Sequence, residues 1–427
     1  TGSHQAPYRT WAAAARNIQA AIQAASPGDT VLIAPGAYEV STPVTIDKRI
    51  QVRSANGAAT VQISGKNQSR CVSMTAGGAV LEGVTVRSGR ADSQGGGIYC
   101  RGGTIQSCWV EDCSVTGVVG NLPGWSRAYG EGGGIYAINA QVLNSTVHSN
   151  SATFRGGGLY ASNSLVQNCN LTTNLAKEYN ADSPWFDEGF FVWFATGEGG
   201  GAYLANSTLK DCRLSGNSAQ HRGGAVFCDV GGRVENCHMS ENTATGNDWA
   251  DAFFGYNTIT PIGCGGAVYC RGGMVQDSIL ISNQSSRDGG GFVCQGGTIQ
   301  RCWVVSNQSW GISSQSPGWS LSPGETVLTP VPSRGGGGYV LDGGVLRFNV
   351  INGNRSVSGG GVFGDTNSLL LQCELTHNQA TNAGGGIYML SGKAVERCRV
   401  YENTAREGGG IAAWNTMIGA CDLRGNT

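Results

Sequence analysis

Gly132-Gly133-Gly134-Ile135-Tyr136 returns 24 residues later as Gly156-Gly157-Gly158-Leu159-Tyr160, and that return decides the fold. Blocks of the same kind, Gly-Gly-(Gly or Ala), then an aliphatic and usually an aromatic residue, start at Gly95, Gly132, Gly156, Gly199, Gly223, Gly265, Gly289, Gly336, Gly359, Gly384 and Gly408. The spacing defines a unit of about 24 residues that carries an insertion on every second turn through the first four pairs. A second slot, 13 or 14 positions into the unit, holds Cys or a small or amide residue, as at Cys108, Ser145, Cys169 and Cys212. Two residues later comes an aliphatic side chain. Three further on comes Asn, from Asn150 to Asn426, with Cys113 the one exception.

Between these fixed points lie short apolar alternations such as Ile98-Tyr99-Cys100, which read as strands of three to five residues joined by tight turns. No helix fits in that space. Stacked coils of such strands form a parallel β-solenoid, in which equivalent residues line up as internal ladders. At a strand spacing of about 4.8 Å, the repeats span roughly 50 Å. The asparagines are expected to form an amide ladder that satisfies turn backbone groups.

The 427 residues include 69 glycines without a Gly-X-Y period, and 40% hydrophobic content suffices for a continuous core. A formal net charge of −1 and only 13% charged residues argue against nucleic acid or an anionic membrane surface as partner. No apolar run approaches the roughly 20 residues that span a bilayer. Residues 1–10 read as a tag remnant or leader, 11–94 as an N-terminal cap with entry coils, and 95–427 as the eleven-coil solenoid. The last residues stop part-way through a repeat, so a further C-terminal domain is expected.

The entry segment from Ile18 to Tyr38 contains Ile18, Ile22 and Ala25 on one helical face, then Pro27-Gly28-Asp29 and the apolar strand Val31-Leu32-Ile33. This segment resembles the N-terminal entry of pectate-lyase-like right-handed parallel β-helix proteins, where a short amphipathic helix covers the open end of the stack. The resemblance implies an all-β, right-handed parallel β-helix with a capping helix; the handedness comes from it alone. The Gly-Gly blocks with downstream Asn are also similar in part to the passenger repeats of chlamydial polymorphic membrane proteins, though their Phe-x-x-Asn element is not reproduced. That likeness implies a surface adhesin.

Twelve of the 15 cysteines fall in two repeat slots, so packing is the expected role, with occasional inter-coil disulfides as the alternative; Cys71, Cys113 and Cys264 lie outside both ladders. No pair has zinc spacing. The four insertions, at about 115–130, 177–197, 245–263 and 309–334, all follow the Asn slot and must leave the solenoid at one corner. They hold six of the ten tryptophans, Trp125, Trp185, Trp193, Trp249, Trp310 and Trp319. The outer two share Pro123-Gly124-Trp125-Ser126 and Pro317-Gly318-Trp319-Ser320, as though one element had been duplicated. Aromatic loops of this length point to ligand stacking or to packing against the solenoid. The strand after this corner presents outward Tyr99, Tyr136, Tyr160, Tyr203, Phe227, Tyr269, Val293 and Val340, either a sugar-stacking face or an aromatic ladder within the sheet.

The slot before each glycine block reads Gln94, Glu131, Arg155, Glu198, Arg222, Cys264, Asp288 and Gly335. Its alternating acids and bases form a salt-bridge ladder in one reading. In the other, Glu131 and Glu198, about 9.6 Å apart at the strand spacing, approximate an inverting glycosidase pair. Asp187 and Glu188 among the aromatics of the second insertion are further candidate acids, and Asp251 in the third is a candidate sugar ligand. A polysaccharide lyase would instead use a base such as Tyr203 with Arg222, and a calcium ion; no other cofactor is expected. The expected function is therefore a secreted or cell-surface protein that binds and degrades a polysaccharide, with hydrolase slightly preferred to lyase. A noncatalytic adhesin or glycan-binding solenoid is the competing class.

Overall fold

The computed structural model describes residues 2–117, 130–177, 197–246, 263–314 and 329–427. The chain is a right-handed parallel β-helix whose contacts divide it into two compact units, Thr1–Arg213 and Leu214–Thr427. Right-handed passage between parallel strands is the hand that twisted strands favour.

A coil of the first unit shows how the sequence makes the fold. Strands Ile135–Ile138, Gln141–Leu143, Thr146–His148 and Ser151–Ala152 follow in order, each contributing to its own parallel sheet. These sheets are called one to four in that order. Each of the three corners between them is turned by a single left-handed residue, Asn139 (φ 49°), Asn144 (φ 49°) and Ser149 (φ 54°), five residues apart. Such a residue costs an L-amino acid about 1–2 kcal/mol, least for Asn and Asp. The corner amides of Asn139 and Asn144 offset this by donating to Ser162 and Gln167 carbonyls of the next coil.

The fourth corner needs the glycine block. Gly132 is left-handed (φ 67°), and a Cβ on Gly133 would strike the carbonyls of Ser151 and Gly157. A Cβ on Gly134 would lie 2.9 Å from the Asn150 side chain. The two slots read from the sequence are thus one contact: the amide packs against the bare third glycine. Ala225 and Ala267 occupy that third position in two coils of the second unit, so the space there is tight without being closed.

The asparagines form the expected ladder. In the second unit the side-chain oxygens of Asn242, Asn283, Asn307, Asn354, Asn378, Asn403 and Asn426 each accept from the backbone N–H and the side-chain Nδ2 of the Asn one coil earlier. In the first unit Asn174 does the same for Asn150, and Cys113 starts the column by donating its backbone N–H to Asn150. Each Nδ2 also serves a strand carbonyl, such as Met239 for Asn283. All 15 cysteines are free thiols. Burial pushes Cys108 and Cys302 up to about 12, which makes them packing residues and poor nucleophiles. Burial, with the neighbouring Cys71 thiol, holds Cys113 well above the usual thiol range.

Coils begin well before the first glycine block. Val44–Ile46 and Val72–Met74 lie in register with Ile98–Cys100 in sheet one. The helix Ile18–Ala24 covers the first coil with Ile18 and Ile22 buried, and Asn17 caps it by accepting from the Ala20 amide. Gln19 exchanges two hydrogen bonds with Thr45, which fixes the helix to that coil.

Removing one rung tests the ladder. Asn283→Ala strands two donors of Asn242 and the Met239 carbonyl, so about 3 kcal/mol of stability should be lost. The exposed Asn170→Ala should cost under about 0.5 kcal/mol. Urea midpoints of the two variants check this, and equal shifts would show that the ladder bears no load.

Candidate active site

In each unit the insertions leave between sheet four and the slot that precedes the glycine block. The third shows how narrow the neck is: Gly263 (φ 71°) has no room for a Cβ against Ser286 Oγ, and the Gly246 amide donates to that hydroxyl over 2.8 Å. Trp310 stands where the fourth insertion departs, 48% exposed, and its backbone N–H donates to the Ser285 carbonyl. Asp187, Glu188, Trp125, Trp185, Trp193, Trp249, Asp251 and Trp319 lie outside the described residues.

In the first unit the charged slot is in register: Gln94, Glu131, Arg155 and Glu198 pair in parallel from coil to coil. The Arg155 guanidinium lies between the two acids, Nη1 3.8 Å from Glu131 Oε1 and Nε 3.2 Å from Glu198 Oε2. It also lies over the Phe154 ring (4.2 Å) and the Tyr203 ring (4.6 Å). Gln94 Nε2 donates to Tyr136 Oη at 2.9 Å and to Glu131 Oε2 at 3.3 Å. The acids are buried, with Glu131 at 7% and Glu198 at 3% exposure.

Burial raises the Glu131 carboxyl above its usual range, and neither Arg155 nor Gln94 fully offsets it. For Arg155, burial alone would lower the pKa, but Glu198, Tyr203 and Glu131 together hold it above the usual value. A carboxyl that keeps its proton beside a polar partner has the character of a general acid. The intervening guanidinium has the character of a structural ladder.

The outward tyrosines stack on each other: Tyr99 on Tyr136 at 5.4 Å, Tyr136 on Tyr160 at 4.9 Å and Tyr160 on Tyr203 at 5.4 Å, with interplanar angles of 14°, 14° and 5°. Both faces of Tyr160 are therefore covered by neighbours. Tyr203, only 2% exposed, is buried under Arg155.

Arg222 opens the corresponding slot of the second unit, bridged in parallel to Cys264 and placed over the Tyr269 ring at 5.2 Å. Further along, the sequence register is corrected. Asp288 pairs with Arg334, not Gly335, and Val293 pairs with Tyr339, not Val340. The run Gly335–Gly338 has four glycines, and the left-handed first position, filled by Gly265 (φ 71°) and Gly289 (φ 64°) elsewhere, is Gly335 (φ 68°).

The shift by one reveals a second charged cluster. Asp288, with no exposure, receives Arg334 Nε at 3.0 Å, Nη2 at 2.8 Å and the Arg334 backbone N–H at 3.2 Å. Arg287 Nε lies 3.9 Å away, and the Cys264 thiol donates to the same carboxylate over 3.9 Å. Arg334 covers the Tyr339 ring at 4.7 Å. An Arg one residue ahead of an overlong glycine run was the signal that could have revealed it.

No protein family and no curated protein sequence matches this chain. Among solved structures it is similar to a mannuronic acid-specific polysaccharide family 6 lyase from human gut microbiota, at 11% identity and a TM-score of 0.43, covering 90% of this chain and 78% of that one. It is also similar to the A-module of the Azotobacter vinelandii mannuronan C-5 epimerase AlgE6, at 14% identity, a TM-score of 0.38 and coverage of 95% and 94%. A third is the catalytic unit of a GH87 α-1,3-glucanase from Streptomyces thermodiastaticus, at 14% identity and 0.41, covering 95% of this chain and 65% of that one. At TM-scores this low, function has to be argued from the chain's own residues.

Two measurements probe the clusters. Asp288→Ala leaves the half-buried Arg334 guanidinium without its carboxylate and should cost about 1.5–3 kcal/mol in urea unfolding. Because the Glu131 pKa is raised in the folded state, the folded chain binds the extra proton. Its stability relative to Glu131→Gln is full below the unfolded carboxyl pKa and is lost as pH rises through the folded value. The thermal midpoint of wild type minus variant should accordingly fall as pH rises above about 4. A rise over the same range would mean that Arg155 dominates.

Proposed function

We propose that this chain is a secreted or cell-surface polysaccharide-binding protein that degrades its ligand at the corner bearing the insertions. One observation carries the reading: the outward aromatic row and the charged slot both run beside the corner from which the tryptophan-rich insertions depart. Sugar rings present apolar C–H faces and hydroxyl rims, and tryptophan-rich insertions next to a charged slot offer partners for both.

Hydrolysis is the favoured chemistry. Glu131, whose carboxyl burial raises above its usual range, would give a proton to the leaving oxygen. Glu198 is engaged by Arg155, so the water-activating carboxylate would come from Asp187 or Glu188 of the second insertion. The lyase alternative would use Tyr203 and Arg222 with a calcium ion; hydrolysis requires no cofactor. Trp125, Trp185, Trp193, Trp249, Trp310 and Trp319 would hold the sugar chain, with Asp251 and the edge of Tyr160 as polar contacts.

Arg155, lying between Glu131 and Glu198, specifically favours a second reading, a noncatalytic adhesin or glycan-binding solenoid. Incubating the protein with a panel of plant, algal and host polysaccharides separates the two. New reducing ends mark hydrolysis, ultraviolet-absorbing unsaturated uronates mark lysis, and retention without product marks the adhesin. For a hydrolase, Glu131→Gln should lower the rate by about 10²–10⁴-fold while binding persists. Neither binding nor product on any glycan would sink both readings.

A further inference from the structure

We propose that the outward face of sheet three in the second unit is a separate binding surface for neutral glycan, centred on Trp303. The inference rests on the glycan-binding reading above but involves none of the residues at the insertion corner.

Three consecutive strands, Ile279–Ile281, Trp303–Val305 and Val350–Asn352, lie side by side in this sheet. Their register aligns Ile279 with Trp303 and Val350, and Ile281 with Val305 and Asn352. The middle residues Leu280, Val304 and Ile351 point inward and are fully buried, so by strand alternation the flanking ones point out. Two positions before each strand stand the left-handed corner residues Asp277, Arg301 and Phe348.

Trp303 is 59% exposed, Phe348 49% and Ile279 41%, and the coils beyond return to polar outward residues, His238 and Ser240 on one side, Glu374 and Thr376 on the other. Single exposed apolar residues are ordinary; three on neighbouring coils, bounded by polar coils, offer a surface for recognition.

Its size and charge select the occupant. Exposed fractions of this order amount to roughly 300–400 Å². A stable protein interface needs about 800 Å² from each partner, so a second copy of the chain is a poor fit. A short stretch of sugar chain covering one indole needs no more than this.

The rim supplies polar groups already held in place. Arg301 forks onto Asp277 at 2.6 and 2.8 Å, and Gln300 Nε2 donates to Gln276 Oε1 at 2.8 Å. Asn352 Nδ2 donates to Thr376 Oγ1 at 2.6 Å. Arg301 and Asp277 cancel each other's charge, while Arg347, whose Nε donates to Gln300 Oε1 at 2.6 Å, adds a cation at the edge of the patch. The island itself is apolar, so stacking on the indole selects the occupant, and an uncharged glycan meets that need without paired charges.

The sheet contains its own control. In the first unit Trp109, 46% exposed in the same outward slot, is aligned with Thr85 and Thr146, so its ring has no apolar surround.

The test compares the full chain with Trp303→Ala and Trp109→Ala, each checked for an unchanged thermal midpoint. Binding is measured by depletion on cellulose, xylan, mannan, starch and chitin, with pectin and alginate as anionic comparators. Trp303→Ala should lose about tenfold in affinity for at least one neutral polysaccharide, equally at low and high salt, while Trp109→Ala binds as wild type. Wild-type binding that survives Trp303→Ala overturns this surface and leaves the insertion corner standing. If wild type binds no glycan at all, both fall. A concentration-dependent dimer in light scattering that Trp303→Ala abolishes would overturn the proposal in favour of self-association.

Discussion

Each coil must turn its strands through tight corners, most of them on a single left-handed residue, and the rest of the structure follows from that constraint. Where such residues recur every five positions, as at Asn139, Asn144 and Ser149, the corners leave no room for a helix. The amide freed at each corner has only the neighbouring coil to bond to. Stacking is therefore obligatory: a lone coil would hold strained corners and unpaired donors, and the ladder of Asn150 and Asn174, or of Asn242 and Asn283, closes that deficit from inside. The fourth corner carries a glycine block in every repeat, and the four insertions all enter there.

The parts of the fold visible in the sequence are those that stacking forces to repeat. Asn, Cys and the glycine block recur because each sits above and below its own kind. The entry coils from residue 30 onward lack the glycine block because they meet the same constraint with other residues. Ser88 and Gly83 turn their corners at φ 49° and 64°, and neither belongs to a glycine block. Where one extra glycine lengthened the run at Gly335, counting from the wrong end moved Arg334 and Tyr339 out of their columns.

The candidate site was legible as a list and not as a surface. Glu131, Arg155 and Glu198 could be aligned from spacing, but burial depends on what lies over them, which no period encodes. The tyrosine row shows the same limit. Tyr136, Tyr160 and Tyr203 share one slot in the repeat; only ring geometry shows that each covers its neighbour's face. Trp303 passed as one more outward residue of an alternating strand, because its apolar surround comes from Ile279 and Val350, 24 and 47 residues away.

The corner that carries the glycine block also bears on how such a chain can change over generations. A coil touches only the coils before and after it, and each presents the same Asn, the same inward aliphatics and the same corner amides. Copying or removing a whole coil therefore creates no contact that the stack did not already contain. A coil copied together with its insertion brings that loop to a new level at the same corner. The shared Pro-Gly-Trp-Ser of residues 123–126 and 317–320 reads as the trace of such an event. On this scaffold, new specificity can be gained by recombination between repeats as readily as by substitution within them.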